Sequence, residues 1–111
     1  MAHIVLVSPD KPFCWDQAKN LRLQAERHIS FEEVVLAIQH EGLLDVFRHP
    51  NAARYPRQWL MIVSVRNYAH AVPFVEDEDC RFLKTIVPSR KATRRYLGHD
   101  RQDKDAPGSD G

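Results

Sequence analysis

The sequence predicts an α+β domain in which a small antiparallel sheet carries two N-terminal helices and one C-terminal helix. Three patterns predict it: apolar residues at helical spacing in residues 30–42, two runs of β-branched and aromatic residues in 58–75, and an amphipathic segment in 89–97. Because the connections between strands are short, we expect an antiparallel meander with the helices packed on one face. The expected order of elements is β-α-α-β-β-β-β-α.

Length and composition fit one small domain with a single core. The chain has 111 residues, of which 43% are hydrophobic and 28% charged, as is ordinary for a globular protein. The apolar run at residues 4–7 is far too short to span a membrane and lacks the features of a secretory signal. A disulfide between Cys14 and Cys80 is open in principle, but we favour two free thiols in a reducing cytosol. These features predict a soluble cytoplasmic protein.

The N-terminal third predicts a leader, a short strand and a first helix. Residues 1–11 are expected to be loosely ordered, with a short strand at residues 4–7, until prolines break the chain. Residues 13–15 follow as a buried strand. Asp16 is then placed to accept backbone N–H bonds as the N-cap of a weakly amphipathic helix over residues 17–27.

The second helix has the clearest secondary-structure signature. Ser30 and Glu33 form a capping box, in which each side chain accepts a hydrogen bond from the other residue's backbone N–H. Apolar residues then recur at i, i+3, i+4 and i+7; they are Phe31, Val34, Val35 and Ile38. Gly42 is expected to end this helix.

The middle of the chain predicts three strands. Residues 43–47 form the first, and a loop at residues 49–56 follows it. The runs at residues 58–65 and 68–75 form a hairpin, because Arg66-Asn67 between them suits a two-residue turn and asparagine tolerates a positive φ.

Two features shape the last part of the sheet. Pro73 lies inside a predicted strand, which indicates an edge or a bulge because proline has no N–H to donate. The acidic run at residues 76–79 is expected to be a hairpin loop, and residues 81–87 the last strand. Residues 12–97 thus form a single domain, whereas the polar tail at residues 98–111 is expected to be disordered.

Residues 89–97 carry the strongest functional signal. On a helix, four cations fall within one arc of roughly 140°, with the small and apolar residues opposite. These cations are Arg90, Lys91, Arg94 and Arg95. Ser89 is expected to cap the helix and Gly98 to end it. The arrangement predicts contact with a polyanion such as RNA, DNA or an acidic protein, although the net charge of +1 argues against strong non-specific binding.

Three segments of the chain resemble the BrnT-type toxins of bacterial toxin–antitoxin modules. They are Trp15-Asp16 with Lys19, the capping-box segment at residues 30–33, and residues 89–95; the similarity spans residues 13–97. The resemblance implies a RelE-like fold, ribonuclease activity that blocks translation, and a cognate antitoxin with a ribbon-helix-helix DNA-binding domain.

Metal-independent RNA cleavage needs a proton taken from the 2′-hydroxyl, stabilisation of the phosphorane and a proton given to the 5′-oxygen. Arginine and lysine serve the second need, because they stay charged and bind phosphate oxygens. We expect Arg90 and Arg94, one turn apart, to be catalytic together with Lys84 on the preceding strand. Lys91 and Arg95 are expected to bind RNA.

Any of His28, His49 and His70 could act as the general base, and His49 is the first choice because loops present reactive groups more often than strand interiors do. No closely spaced set of Cys and His residues indicates a metal site, and no glycine-rich loop indicates a bound nucleotide, so no cofactor is expected. Four aromatic residues could stack on bases, but core positions are favoured for them; they are Trp15, Trp59, Tyr68 and Phe74.

Two functions stay open from the sequence. In the first, the chain is a metal-independent endoribonuclease toxin whose substrates include mRNA at the ribosome. In the second, it is a catalytically inactive protein-binding module of the same fold whose basic helix docks the DNA-binding antitoxin. Direct DNA binding ranks third, given the net charge of +1. No membrane contact is expected.

Overall fold

A computed structural model describes residues 11–99 of the chain and the backbone of residues 2–5. In chain order the elements are β1 (Ala2–Val5), β2 (Phe13–Asp16), α1 (Gln17–Arg27), α2 (Phe31–Gln39), β3 (Leu43–Arg48), β4 (Gln58–Val65), β5 (Tyr68–Glu76), β6 (Arg81–Leu83), β7 (Val87–Pro88) and α3 (Arg90–Ala92), which continues as a π-helical turn (Thr93–Leu97). The predicted α+β class is confirmed. The predicted element order is not matched, because two strands precede α1 and the last predicted strand is split in two.

The described strands form one mixed, mostly antiparallel sheet in the order β1-β2-β6-β5-β4-β3, with β7 also beside β5. The predicted meander is present in β3, β4 and β5, which pair antiparallel in sequence. The prediction of a purely antiparallel sheet was wrong, because β2 and β6 pair in parallel. This pairing places the start of the domain against a strand that lies more than half the chain away in sequence.

The first helix has the predicted bounds but not the predicted cap. Asp16 occupies the N-cap of α1, yet its side chain accepts no capping hydrogen bond, so that part of the prediction was wrong. At the other end His28 adopts a left-handed conformation with φ of 58°, and its N–H donates to the carbonyl of Gln24 at 3.2 Å. A left-handed residue stops the helix by turning the chain away from its axis.

The second helix begins at the predicted capping box. The Ser30 hydroxyl accepts the backbone N–H of Glu33 at 3.1 Å, and the Glu33 carboxylate accepts the N–H of Ser30 at 3.3 Å. Both interactions satisfy N–H groups that a helix start leaves without intrahelical partners. Phe31, Val34 and Val35 are buried, as the apolar spacing predicts.

The end of α2 differs in detail from the prediction for Gly42. The helix ends at Gln39, and Glu41 takes the left-handed conformation with φ of 68°. Gly42 instead donates its N–H to the carbonyl of Ala37 at 2.6 Å. A Cβ atom at Gly42 would lie 2.7 Å from that oxygen and 2.9 Å from the carbonyl oxygen of Ser64, so glycine is needed for close packing between α2 and β4.

Both predicted hairpin turns are confirmed. Arg66 and Asn67 have positive φ values of 53° and 61°, as a two-residue turn of the tightest kind requires. In the acidic loop, the Asp77 carboxylate accepts the N–H groups of Asp79 at 2.9 Å and Cys80 at 2.8 Å. These backbone hydrogen bonds favour the charged carboxylate and lower the pKa of Asp77.

The single last strand predicted for residues 81–87 was wrong, and Pro73 explains the break. The N–H of Lys84 donates to the carbonyl of Pro73 at 2.8 Å, but Pro73 has no N–H to return to Lys84. Pairing resumes at β7 with Ala71 opposite Val87, one residue out of step with the Phe74–Leu83 pairing in β6. This extra residue is the bulge that a proline inside a strand predicts.

Helices cover both faces of the sheet, so the expectation that they pack on one face was wrong. The larger core lies under α1 and α2 and includes Trp15, Phe31, Val63, Val72 and Leu83. A smaller cluster lies under the C-terminal helix; its buried members are Ile62, Ala69 and Ala92, with Phe47, Tyr96 and Leu97 packed against them. The division follows from strand geometry, because successive side chains point to opposite faces.

The buried Asn20 joins the two N-terminal helices. Its side-chain oxygen accepts the N–H of Phe31 at 2.8 Å, and its side-chain nitrogen donates to the Glu32 carboxylate at 2.7 Å. Asn20 is fully buried, so these partners replace the water that its amide would otherwise need.

Cys14 and Cys80 form a disulfide, so the favoured interpretation as free thiols was wrong. The two Cα atoms lie 6.1 Å apart, because β2 and β6 are neighbours and place Cys14 opposite Phe82. Disulfides persist mainly in oxidising compartments. The free-thiol argument for a cytoplasmic location is therefore lost, and the location stays a prediction.

Three predictions concern residues that are described in part or not at all. The N-terminal strand predicted at residues 4–7 is found at Ala2–Val5, and the remainder of the leader, residues 6–10, lies outside the described residues. Residues 100–111 of the predicted tail also lie outside them. In the part of the chain that is described, no helix is long and apolar enough to cross a membrane.

Replacing Asn20 with alanine is expected to lower the free energy of unfolding by about 1–3 kcal/mol, because the Phe31 N–H loses a buried partner. Urea denaturation followed by circular dichroism measures this change. Gln24→Ala, on the exposed side of the same helix, is the matched control and is expected to change stability little. Equal stabilities for both variants would contradict the role assigned to Asn20.

Reducing the disulfide is expected to lower the free energy of unfolding by about 4 kcal/mol, because the released loop is long and gains conformational entropy when unfolded. Denaturation with and without a phosphine reductant measures this loss. The Cys14→Ala/Cys80→Ala variant is the control, since its stability is expected not to respond to reductant. A wild-type protein equally stable in both conditions would show that the two sulfurs are not bonded.

Candidate nucleic-acid interface

The C-terminal helix is short and changes its geometry part-way. Ser89 is the N-cap, and its hydroxyl accepts the N–H of Ala92 at 3.1 Å, as predicted. From Thr93 onward the backbone forms a π-helical turn rather than continuing as an α-helix. Gly98 ends it with a positive φ of 80°, again as predicted.

Thr93 fastens the start of this helix to β5. Its buried hydroxyl accepts the N–H of Ala69 at 2.8 Å and donates to the carbonyl of Ser89 at 2.7 Å. The N–H of Ser89 in turn donates to the carbonyl of Ala69 at 2.9 Å. All three bonds engage groups at the end of the β5–β7 ladder, so the first turn of the helix is fixed to the sheet.

Tyr96 fastens the other end of the helix to the edge strand β3. Its hydroxyl donates to the carboxylate of Asp45, and this hydrogen bond is the main reason that the pKa of Tyr96 is raised. Leu97 packs beside it on the same cluster as Phe47. The helix therefore crosses the sheet from β5 to β3.

The four predicted cations lie on the solvent side of this fixed helix. Arg90, Lys91, Arg94 and Arg95 are all exposed, whereas Ala92 and Thr93 are buried. Within residues 11–99, the ion pairs involve Lys11, Arg66 and Arg81, and none of the four helix cations. The guanidinium of Arg95 lies 5.6 Å above the ring of Tyr96. The predicted two-sided character of the segment is thus confirmed.

Lys84 lies on the same face of the sheet as the C-terminal helix, at one end of a row of residues that crosses the sheet. The row starts at Lys84, just after β6, and continues over β5, β4 and β3 through Pro73, Leu60 and Phe47. Lys84 is exposed, and the other three are half-buried. A cation at one end of a half-buried apolar row could meet a phosphate of a ligand lying across the sheet.

His49 lies beyond the other end of this surface. By strand alternation from Phe47 it belongs to the same face, where its N–H donates to the carbonyl of Gln58 at 3.0 Å. The path from Lys84 to His49 crosses three gaps between neighbouring strands and then runs two residues along the chain from Phe47. The two residues are therefore roughly 15 Å apart. The structure places the two predicted catalytic residues on one surface but does not bring them together.

The ring of His49 is held in one orientation. Its Nδ1 accepts the N–H of Asn51 at 3.0 Å, and its centroid lies 4.5 Å from that of Tyr55. An accepting Nδ1 carries no proton, so the neutral ring has its proton on Nε2. The general-base role predicted for His49 would require Nδ1 to give up this backbone donor.

The predicted aromatic core positions are confirmed for Trp15, Tyr68 and Phe74, which are all buried. Trp59 is half-buried, and the guanidinium of Arg48 lies 5.2 Å above its ring. Tyr55 was not singled out from the sequence. Its position beside His49 depends on the conformation of the loop. The only sequence signal for that loop near Tyr55 is the Tyr-Pro pair at residues 55–56.

An apolar groove on the opposite face of the sheet was also not predicted. Its volume is about 370 Å³, and its walls come from α2 and the β2–β6 strands; Phe13, Ile38, Val46, Trp59, Met61 and Phe74 line it. Glu76 and Arg81 close one end and contact each other at 3.7 Å. Leu36, Leu43 and Val46 are exposed large hydrophobic residues on this side of the molecule.

Among the described residues, no group of three or more His, Cys, Asp or Glu side chains is arranged to hold a metal ion. No protein-family model matches the chain, and no curated protein or solved structure matches it either.

The stability of the protein is expected to fall as the pH drops below about 6.5, partly because His70 is buried. Burial lowers the pKa of His70 below its ordinary value of 6.5, so the unfolded chain takes up a proton that the folded chain resists. The stabilisation is complete above pH 6.5 and declines toward the lowered pKa. Urea titrations at pH 5.5 and 7.5 measure it, and His70→Gln is expected to show a smaller loss. Equal losses in both proteins would contradict this account.

Proposed function

We propose that this chain is the toxin component of a bacterial toxin–antitoxin module and acts as a metal-independent endoribonuclease that blocks translation. The exposed cationic face of the C-terminal helix is the observation that carries the proposal. Four cations lie on one side of a helix whose other side is fixed to the sheet through Thr93 and Tyr96. The resemblance of residues 15–33 and 89–95 to BrnT-type toxins supports the same function.

The fixed position of the helix matters for catalysis as well as for binding. Charges that are already in place stabilise a transition state without reorganising during the reaction. Thr93 and Tyr96 hold the backbone while the arginine side chains remain free of carboxylates within residues 11–99. Arginine suits this role because its planar guanidinium can donate two parallel hydrogen bonds to one phosphate.

The proposed reaction transfers the phosphate within one RNA strand. The 2′-oxygen forms a bond to phosphorus and gives its proton to a water molecule, while the bond from phosphorus to the 5′-oxygen breaks and the 5′-oxygen takes a proton from water. Arg90 and Arg94 hold the phosphate oxygens and stabilise the added negative charge, and Lys91 and Arg95 bind neighbouring phosphates. Lys84 contacts the RNA strand where the RNA crosses the β-sheet. The products are a 2′,3′-cyclic phosphate and a 5′-hydroxyl end.

The second candidate function is protein binding without catalysis, and the apolar groove favours it. Leu36, Leu43 and Val46 are exposed around a cavity of about 370 Å³, which is the kind of surface that a partner protein covers. In this function the chain docks a DNA-binding antitoxin and its cationic helix meets acidic residues of that partner. The two functions differ in whether RNA is cut.

Replacing Arg90 and Arg94 with alanine is expected to abolish toxicity and to lower the rate of RNA cleavage by about 100-fold or more, because the phosphorane loses its principal counter-charges. Induced expression in a bacterium, combined with sequencing of RNA fragments that carry 5′-hydroxyl ends, measures both effects. Arg22→Ala is the matched control, since Arg22 is an exposed arginine on α1.

The outcomes separate the two candidates. Growth arrest with new 5′-hydroxyl ends, lost in the double variant and kept in Arg22→Ala, supports the nuclease. No growth arrest and no new RNA ends from the wild-type chain would overturn it. Co-purification of an adjacent gene product by a wild-type protein that cuts no RNA would establish the second candidate instead.

A further inference from the structure

We propose that the loop between β3 and β4, residues 49–57, is a stacking platform for an unpaired base, and that the RNA bound by this protein is single-stranded. The inference rests on the proposed function, because both take RNA as the ligand. It adds the class of substrate and assigns a binding role to residues far from the cationic helix.

The composition of the loop suits a nucleic-acid strand. Residues 49–57 contain Arg54 and Arg57 and no Asp or Glu. Tyr55 and His49 add flat rings to these cations. Sequence-tolerant binding of single strands combines these two elements, since cations track the phosphates and rings stack on any base.

The His49 ring and the Arg54 guanidinium both lie close to the ring of Tyr55. The His49 ring lies 4.5 Å from it, centroid to centroid, at an interplanar angle of 45°, and the Arg54 guanidinium lies 5.5 Å from the Tyr55 ring. Tyr55 and His49 are half-buried, so each ring still presents part of its surface to solvent, and Arg54 is exposed. An unpaired base placed on these rings would have a guanidinium beside it for its phosphate.

Asn51 holds the loop in this shape before any ligand arrives. Its N–H donates to His49 Nδ1 at 3.0 Å, its side-chain oxygen accepts the N–H of Arg54 at 3.3 Å, and its carbonyl accepts the N–H of Tyr55 at 2.9 Å. The N–H of Gln58 then donates to the carbonyl of Tyr55 at 3.2 Å. A loop fixed in this way loses little conformational entropy on binding.

The hydrogen bond from Asn51 also defines what His49 can do. With Nδ1 engaged as an acceptor, the neutral ring presents an Nε2–H donor and a flat surface. Both suit contact with a base. Proton abstraction would need the nitrogen that Asn51 occupies, so the geometry points to binding rather than general-base catalysis for His49.

The platform and the cationic helix share one face of the sheet. Tyr96 meets Asp45 in β3, and His49 follows four residues later along the same strand direction. Four residues of strand span roughly 13 Å. About four stacked nucleotides cover that distance at 3.4 Å each. One strand can therefore reach from the helix to the loop across the half-buried row that begins at Lys84.

A duplex fits this surface less well. Its bases are paired and stacked on one another, so Tyr55 and His49 would meet only the sugar-phosphate edge. The acidic loop lies at the same end of the sheet as Arg57, because Gln58 pairs with Val75. A second phosphate strand on that side would meet the carboxylates at residues 76–79, whereas one strand passing over Arg54 avoids them.

The test measures binding to a probe that cannot be cut. A fluorescein-labelled octamer of 2′-O-methyladenosine lacks the nucleophilic hydroxyl, so anisotropy reports binding alone. The same octamer with one abasic position, moved along the strand, removes a single base at a time. A 2′-O-methyl duplex of equal length and a DNA octamer complete the set of ligands.

Tyr55→Ala is expected to weaken binding of the octamer about tenfold, whereas Tyr55→Phe keeps the ring and binds like the wild type. His49→Phe is expected to bind at least as well as His49→Ala, because it keeps the stacking surface. Arg22→Ala on the other face is the control for a lost arginine. Thermal unfolding shows whether each variant is folded before its affinity is compared.

The decisive result is a thermodynamic cycle. One abasic position is expected to weaken binding to the wild type but not to Tyr55→Ala. In that variant the base has no Tyr55 ring to stack on, so removing the base costs no further affinity. If Tyr55→Ala binds like the wild type, or the duplex binds as tightly as the single strand, the platform is overturned. RNA cleavage that depends on Arg90 and Arg94 would then still stand. If the wild type binds no octamer at all, the platform is overturned, and the RNA-cleavage assay decides on the nuclease separately.

Discussion

The missing N–H of Pro73 constrains the rest of the structure. Pro73 lies in β5, between β4 and β6; its carbonyl accepts the N–H of Lys84, but it has no N–H to donate to the carbonyl of Lys84 in return. The chain leaves the ladder there and re-enters at β7 one residue out of step. Because of that shift, Lys84 lies outside the regular strands, and Ser89 lies opposite Ala69, where the C-terminal helix begins.

Placement of the helix separates the molecule into two surfaces with different chemistry. On one face, a helix held by Thr93 and Tyr96 presents guanidinium and ammonium groups beside a half-buried row of the sheet. On the other, α2 leaves an apolar groove around Trp59 and Met61. Because the sheet lies between them, a polyanion and an apolar partner can occupy the two faces at the same time.

Local chemistry was predictable from the sequence, and long-range pairing was not. The capping box at Ser30, the Arg66-Asn67 turn and the two-sided C-terminal segment depend on residues a few positions apart, which spacing reveals directly. The parallel pairing of β2 with β6 joins distant parts of the chain; the two cysteines beside it are 66 positions apart in sequence. No hydrophobic periodicity indicates such a pairing. The same limit applies to the site: exposure of Arg94 follows from helix geometry, but the bond from Asn51 that fixes the His49 ring exists only in the folded loop.

The disulfide has a further consequence for the cationic helix. It closes a covalent ring from Cys14 to Cys80 that contains α1, α2 and the β3–β5 meander. The segment from Arg81 to Gly98 lies outside that ring; beyond its peptide bond to Cys80, only hydrogen bonds and packing hold it in place. Local opening of the terminal segment therefore leaves the ring intact. The amide protons of the segment exchange with solvent through this local opening, which costs less free energy than unfolding of the whole domain. The molecule can lose and recover its cationic helix without unfolding the scaffold that carries it.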